Sequence, residues 1–307
     1  MSQLSLDPGL QAALARIPAL AGTTDADWER LGGLTNVVYR VATPAGPLAV
    51  RVPGKGTAAY IDRRVEAHNA QVAADADVAP VLVFADPDDG LMATAFLASA
   101  TTMTGPLFRT RAGAPARAGA LLRRLHGSPL PFTFRFELFA KIDEYLVYLA
   151  EHPAPLPAGY ADALARSEGI RRQLAAHPVA LVPSHCDPLA ENFLDDGARM
   201  WLVDWEYSGM NDPMWDLGDL SVEAGFDLEQ DEALLAGYFG GAATPADRGR
   251  FEIYKAMCDL LWTLWGLIQH ANGNPAEDFL AYANDRFARC QRQLESPGFA
   301  EHLAAIG

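Results

Sequence analysis

Residues 36–43 (NVVYRVAT) and 47–54 (PLAVRVPG) are short β-branched runs either side of Pro-Ala-Gly, which predicts a hairpin. Residues 61–76 (IDRRVEAHNAQVAADA) read as a helix, followed by a strand at PVLVFAD, a turn at PDDG and a strand at LMATAF. The first hundred residues are therefore expected to be strands with one helix. Beyond about residue 98 the helical pattern takes over, at 115–126, 137–152 and 160–177, with three further helices predicted from 228 to the end. Between them, ENFLDDGARMWLVDW reads as two short strands joined at Asp-Asp-Gly. No repeat or low-complexity linker interrupts the chain. The expected fold class is α+β: a small β-rich N-terminal lobe (1–98), a larger helical C-terminal lobe (99–307), and a polar hairpin near their junction. Clefts between lobes are favoured places for ligands.

Composition narrows the function. With 24 Lys+Arg against 39 Asp+Glu, the net charge of −15 argues against nucleic-acid partners and anionic membranes, whose attraction comes from basic side chains. Cys186, Cys258 and Cys290 lie far apart without the paired spacing of a zinc site or a disulfide framework, so reduced thiols are expected. The N-terminus lacks a basic stretch followed by an apolar run, and the most apolar stretch, LLWTLWGLI (260–268), is far shorter than the roughly 20 residues of a spanning helix. A soluble, cytoplasmic protein with no membrane insertion is predicted.

Four places carry candidate chemistry. In LGGLTNVVYRV (31–41), Gly32 and Gly33 precede a strand, with Thr35 and Asn36 beside them. Such a turn is either a plain hairpin connection or a cradle of backbone N–H groups for a phosphate. Arg51 lies inside a strand and shares a face with Ala49, and Glu66 on the following helix is its natural partner. That pair is either a structural salt bridge or a phosphate contact with its supporting carboxylate; Lys55, in PGKG, is a second basic candidate. In SHCDPLAEN (184–192), His185, Asp187 and Asn192 form H-x-D-x(4)-N, and Asp204 ends the apolar strand twelve residues later. Phosphoryl transfer needs a carboxylate to orient the attacking hydroxyl, here Asp187, and oxygen ligands for Mg²⁺ on the phosphates, here Asn192 and Asp204. Cys186 and His185 are not expected to make a nucleophile pair, because adjacent side chains on an extended segment point apart. His185 reads as a buried support of the loop. Finally, Trp262 and Trp265, three apart in YKAMCDLLWTLWGLIQH, share a helix face, which serves either core packing or a box for an organic cation.

Taken in order, GGLTNVVYRV, RVPG, IDRRVEAHN, SHCDPLAENFL, WLVDWEYSGMNDPMWDLGDLSVE and LLWTLWGLIQ resemble the choline/ethanolamine kinases, relatives of the aminoglycoside phosphotransferases with a two-lobed protein-kinase-like fold. The resemblance covers about residues 28 to 270. It implies Asp187 as catalytic base, Asn192 and Asp204 as Mg²⁺ ligands, and Gly33, Thr35, Asn36, Arg51 and Glu66 on the ATP side. It implies Trp262, Trp265 and Glu223 around the substrate's ammonium group, with His185, Glu206 and Asp216 as supports. ATP and Mg²⁺ are the implied cofactors, and the implied partner is a small cationic alcohol such as choline or ethanolamine. Three places depart from the family: Pro188 follows Asp187 directly, Thr263 stands for glycine in W-T-L-W, and FLASA (96–100) at the expected adenine hinge is weakly related, leaving ATP and GTP both open. Thiamine or an aminoglycoside is the alternative substrate, and a non-catalytic cation-binding protein the alternative class.

Overall fold

The computed structural model describes residues 8–32, 36–54 and 61–307. Its first sheet is antiparallel in the order β1-β2-β3-β5-β4, built from β1 (Trp28–Gly32), β2 (Val37–Val41), β3 (Leu48–Val52), β4 (Leu82–Ala85) and β5 (Met92–Ala95). Thr43 and Gly46 close the predicted β2–β3 turn, with Gly46 at φ 118°. On β3 the alternation sends Leu48 and Val50 into a small core with Ala13 of helix α1 (Pro8–Arg16) and Ile17 just after it, and leaves Ala49 and Arg51 facing the opposite side. Helix α1 is thus an addition to the single helix expected here. The helix that was expected, α2 (Arg63–Asp75), starts where Asp62 accepts hydrogen bonds from the backbone N–H groups of Arg64 and Val65, at 3.0 and 3.2 Å.

Next come β6 (Thr101–Thr102) and helices α3 (Gly105–Thr110), α4 (Ala114–His126), α5 (Leu138–Glu151) and α6 (Tyr160–Ala176). Strand β7 (Val182–Ser184) pairs with β10 (Gly209–Asn211), and the predicted hairpin is β8 (Phe193–Asp195) with β9 (Met200–Leu202), to which β6 adds a third strand. After β10 the structure forms α7 (Pro213–Ala224), α8 (Leu228–Phe239), α9 (Pro245–Ala271), α10 (Phe279–Leu294) and α11 (Phe299–Ala305). Four helices, not three, therefore follow residue 228, and α7 precedes them. Asp212 caps α7 through the Met214 N–H at 3.0 Å, Pro213 fills its first turn, and Gly225 ends it at φ 65°. Helices α4 and α8 cross so closely that a Cβ on Gly119 would sit 2.1 Å from the Leu234 carbonyl oxygen. The second and larger core, which includes Trp215, Phe251 and Leu261, lies among these helices. The chain is an α+β protein of two lobes, as expected from its pattern.

Candidate functional site

Between the lobes lies a cleft of about 690 Å³. One end is apolar, walled by Val38, Ala49, Met92, Phe96 and Leu194; the other is aromatic, walled by Tyr207, Trp262, Trp265 and Tyr282; Arg51, Asp187, Asn192 and Asp204 line it as well.

Asp187 is delivered by a loop that α7 grips from below. The Asp216 carboxylate accepts the backbone N–H groups of His185 and Cys186 at 2.7 and 2.8 Å, and the Trp215 indole N–H donates to the Cys186 carbonyl at 3.0 Å. His126, whose part the sequence reading missed, donates from Nε2 to the same carboxylate at 3.0 Å and contacts the Tyr238 hydroxyl at 2.9 Å. The segment is not extended at Cys186, which has φ 66°, so the reason expected for setting Cys186 aside does not hold. Burial does: the thiol is wholly enclosed, and that enclosure, with Asp216 nearby, pushes its ionisation well above the usual thiol range. His185 is buried too. It donates from Nε2 to the Val203 carbonyl at 2.9 Å, lies beside the Trp205 ring, and is held neutral by burial, which lowers its pKa.

The β8–β9 register brings the next two candidate residues together. Phe193 pairs with Leu202, and the Val203 N–H donates to the Asn192 carbonyl at 3.0 Å, so Asn192 and Asp204 stand side by side at the open end of the hairpin. The Asn192 side chain donates to the Asp187 carbonyl at 3.0 Å, which ties loop to hairpin. Asp204 takes the left-handed backbone, φ 69°, which aspartate tolerates better than most side chains. Burial and the neighbouring Glu206 raise its pKa to about 7 against the pull of Arg51.

A chain of ion pairs links these groups to the sheet. Arg51 pairs with Glu66 and, at 3.1 Å, with Asp204; Arg63 pairs with Glu66 at 2.7 Å and with Glu206 at 3.0 Å. Asn36 donates to Glu206 at 3.1 Å. The Arg51–Glu66 partnership therefore exists, and Arg63 doubles it. The structure also places Asn36 beside Glu206, while Gly33, Thr35 and Lys55 lie outside the described residues. Burial pushes the Asp187 carboxyl well above the ordinary carboxylate range, with Glu223, Asp204 and Glu206 adding to the effect.

At the aromatic end, Trp262 and Trp265 meet edge to face with centroids 6.3 Å apart. Tyr207 lies 6.1 Å from Trp262, and Tyr282 lies 5.7 Å from Trp265. The Trp262 indole N–H donates to the fully buried Asp219 at 3.0 Å. Thr263, the departure inside W-T-L-W, is accommodated because its hydroxyl donates to the Asp259 carbonyl one turn back, at 2.7 Å. Glu223 reaches the same end, but its carboxylate is bound by Arg286 of α10.

Residues 27–254 match the family described as "Phosphotransferase enzyme family". A crystal structure of a choline/ethanolamine kinase family protein from Mesorhizobium loti is 58% identical, superposes with a TM-score of 0.90, and covers 97% of both chains. The chain belongs to the choline/ethanolamine kinase family. It is accordingly an enzyme, a phosphotransferase of the choline kinase type. Two further relatives of this kinase are choline kinase LicA from Streptococcus pneumoniae (27% identical, TM-score 0.76, 92% of this chain and 98% of that one) and a LicA structure in complex with AMP (28%, 0.69, 91% and 92%). Among the described residues of the kinase no helix is long and apolar enough to cross a membrane.

Proposed function

We propose that this enzyme transfers the γ-phosphoryl group of ATP to the hydroxyl of choline or a related amino alcohol. The observation that carries the proposal is that one cleft holds both Asp187 with its oxygen-bearing neighbours and, at one end, the rings of Tyr207, Trp262, Trp265 and Tyr282. Such rings attract an organic cation through their quadrupoles. An alcohol anchored there by its ammonium group presents its hydroxyl to Asp187, which orients it and takes its proton as the bond to phosphorus forms. The apolar end receives the base, in keeping with the AMP bound by a LicA relative. The N-terminal lobe (1–98) supplies the nucleotide contacts, with Arg51 and Asn36 towards the phosphates and Glu66 fixing Arg51; residues 99–307 supply the catalytic and substrate groups.

The donor set near Asp204 suits Mg²⁺. Its groups are hard oxygens, and carboxylate oxygens of Glu66, Asp204 and Glu206 lie within 4.8 Å of one another. Glu66 is occupied by two arginines, so Asp204 and Asn192 are the residues that would hold the ion. A cation there also removes the crowding that lifts the Asp204 pKa to about 7. Its chemistry would be to neutralise charge on the transferring phosphates. We place the activity in the cytoplasm, where the buried, unbridged Cys186, Cys258 and Cys290 stay reduced.

The test is a coupled ATP-consumption assay with choline, ethanolamine, thiamine and an aminoglycoside panel. Turnover of an amino alcohol with Mg²⁺ supports the proposal; silence with every alcohol overturns it.

A further inference from the structure

Among the described residues, the cleft is lined by the carboxylates of Asp187, Glu191, Asp204, Glu206, Glu223 and Glu277 against the single guanidinium of Arg51. Asp204 and Glu206 pair with Arg51 and Arg63, Glu223 pairs with Arg286, and Asp187 is the proposed base. Glu191 and Glu277 are exposed and make no hydrogen bond or ion pair among the described residues. Glu191 belongs to the hairpin side, next to Asn192. Glu277 stands at the aromatic end, two residues before Phe279, whose ring lies 5.6 Å from Trp265 and 6.3 Å from Tyr282. The loop that carries it is fixed on both sides. Asn274 donates to Gln269 at 2.9 Å and accepts the Ala276 N–H at 3.0 Å, and Asp278 caps α10 through the Ala281 N–H at 3.0 Å. Asn274 and Asp278 thus turn their side chains to the loop, and the Glu277 carboxylate is left on the cleft wall.

Aromatic walls attract a cation through their quadrupoles, but they also pack any apolar group of the same shape. Telling a trimethylammonium from a neutral tert-butyl group needs a net charge nearby. The deeper carboxylates supply little of it. Glu223 has Arg286 against it, so that pair brings no net charge. Asp219 is wholly buried and takes the Trp262 indole N–H; burial, with Glu223 and Asp187 close by, pushes its carboxyl well above the usual range, towards the uncharged form. We infer that Glu277 is the counter-charge of the aromatic end, a specificity-determining residue that favours cationic over neutral alcohols. An exposed carboxylate needs no protein partner because water solvates it, and an ammonium group can take that water's place. The inference rests on the proposal that a cationic alcohol occupies this end, and its test separates the two.

The experiment compares choline with its uncharged carbon isostere, which carries a tert-butyl group in place of the trimethylammonium. Wild type, Glu277→Gln, Glu277→Asp and Glu277→Lys are assayed for kcat/KM with both alcohols. In parallel, affinities for both are read from intrinsic tryptophan fluorescence without nucleotide. The choline-to-isostere ratio should fall about fivefold in Glu277→Gln, the upper range for charges that face water, and the fall should lie in KM. Glu277→Lys should lower the ratio further, and Glu277→Asp, which keeps the charge, should stay near wild type. Raising salt from about 0.1 to about 1 M shortens the screening length from roughly 10 to 3 Å and should shrink the gap between wild type and Glu277→Gln. A ratio unchanged in both Glu277→Gln and Glu277→Lys, or a gap indifferent to salt, overturns the inference and leaves the function standing. Equal losses for choline and the isostere give Glu277 a role in shape alone and overturn it as well. If the wild type turns over no alcohol, the function falls, and the two affinities still decide whether Glu277 holds the cation.

Discussion

The two sides of the cleft are assembled by different physics. Around Asp204 the structure is polar: Arg51, Arg63, Glu66 and Glu206 form one linked set of ion pairs with Asp204. Around Trp262 the walls are rings packed edge to face, backed by the indole hydrogen bond to Asp219 and by the Arg286 guanidinium against Tyr282. A charge network fixes directions, as transfer of a charged group demands. Ring walls fix a volume and a potential, which suffices to hold a cation. Changes on the polar side should therefore appear in kcat and in folding, and changes on the aromatic side in KM.

The largest break expected is Asp187→Asn, which keeps the shape and removes the proposed base. Steady-state kinetics should show kcat lower by about 100- to 10,000-fold with KM for the alcohol little changed. Full activity in this variant would remove Asp187 from the mechanism. Next is Glu66→Gln, which strips the shared partner from two buried arginines. Loss of one member of a buried pair costs about 3–5 kcal/mol. The low end is expected, since Arg51 keeps Asp204 and Arg63 keeps Glu206, and a denaturant midpoint measures it. An unaltered midpoint would show that the network does not hold the lobe.

On the other side, Trp265→Ala removes a half-buried ring. Its expected mark is a rise of about tenfold or more in KM for choline, with kcat largely retained. An equal KM would return the ring to a packing role. The smallest effect concerns pH. Burial lowers the folded pKa of His185 below its ordinary 6.5, so the unfolded chain takes up a proton that the folded one refuses. The stability this gives is complete above pH 6.5 and is lost as the pH falls below it, by at most about 1.4 kcal/mol per pH unit. Unfolding titrations of wild type and His185→Gln should diverge below pH 6.5, and parallel curves would contradict the assignment.

Much of the polar side could be read in the sequence because its chemistry is local. H-x-D-x(4)-N fits one loop, Asp204 follows one strand by two residues, and the alternation of β3 alone aims Arg51. What escaped reading depends on distance or on complete burial. Helix α7 is enclosed on nearly every side, so PMWDLGDLSVEA shows no apolar stripe to mark it as a helix. Arg63 and Arg64 are neighbours in the chain with side chains 4% and 78% exposed, and nothing local says which one turns inward. Arg286 and Glu223 are 63 positions apart, so Glu223 looked available until the fold supplied its partner. Cys186 attracts notice as a thiol, yet what the structure uses is its backbone, bonded on both sides by α7.

The contacts between residues 36–69 and residues 204–208 bear on how this chain can be recombined. Asn36 and Arg63 meet Glu206, Arg51 meets Asp204, and Asn69 donates to the Ser208 carbonyl and hydroxyl, both at 3.0 Å. A hybrid protein spliced near residue 98 from two relatives would inherit one half of this lock from each parent. Such hybrids should succeed when the parents agree at these few positions, whatever their identity elsewhere. For gene shuffling, the chain is one unit of inheritance across a seam where its composition divides in two.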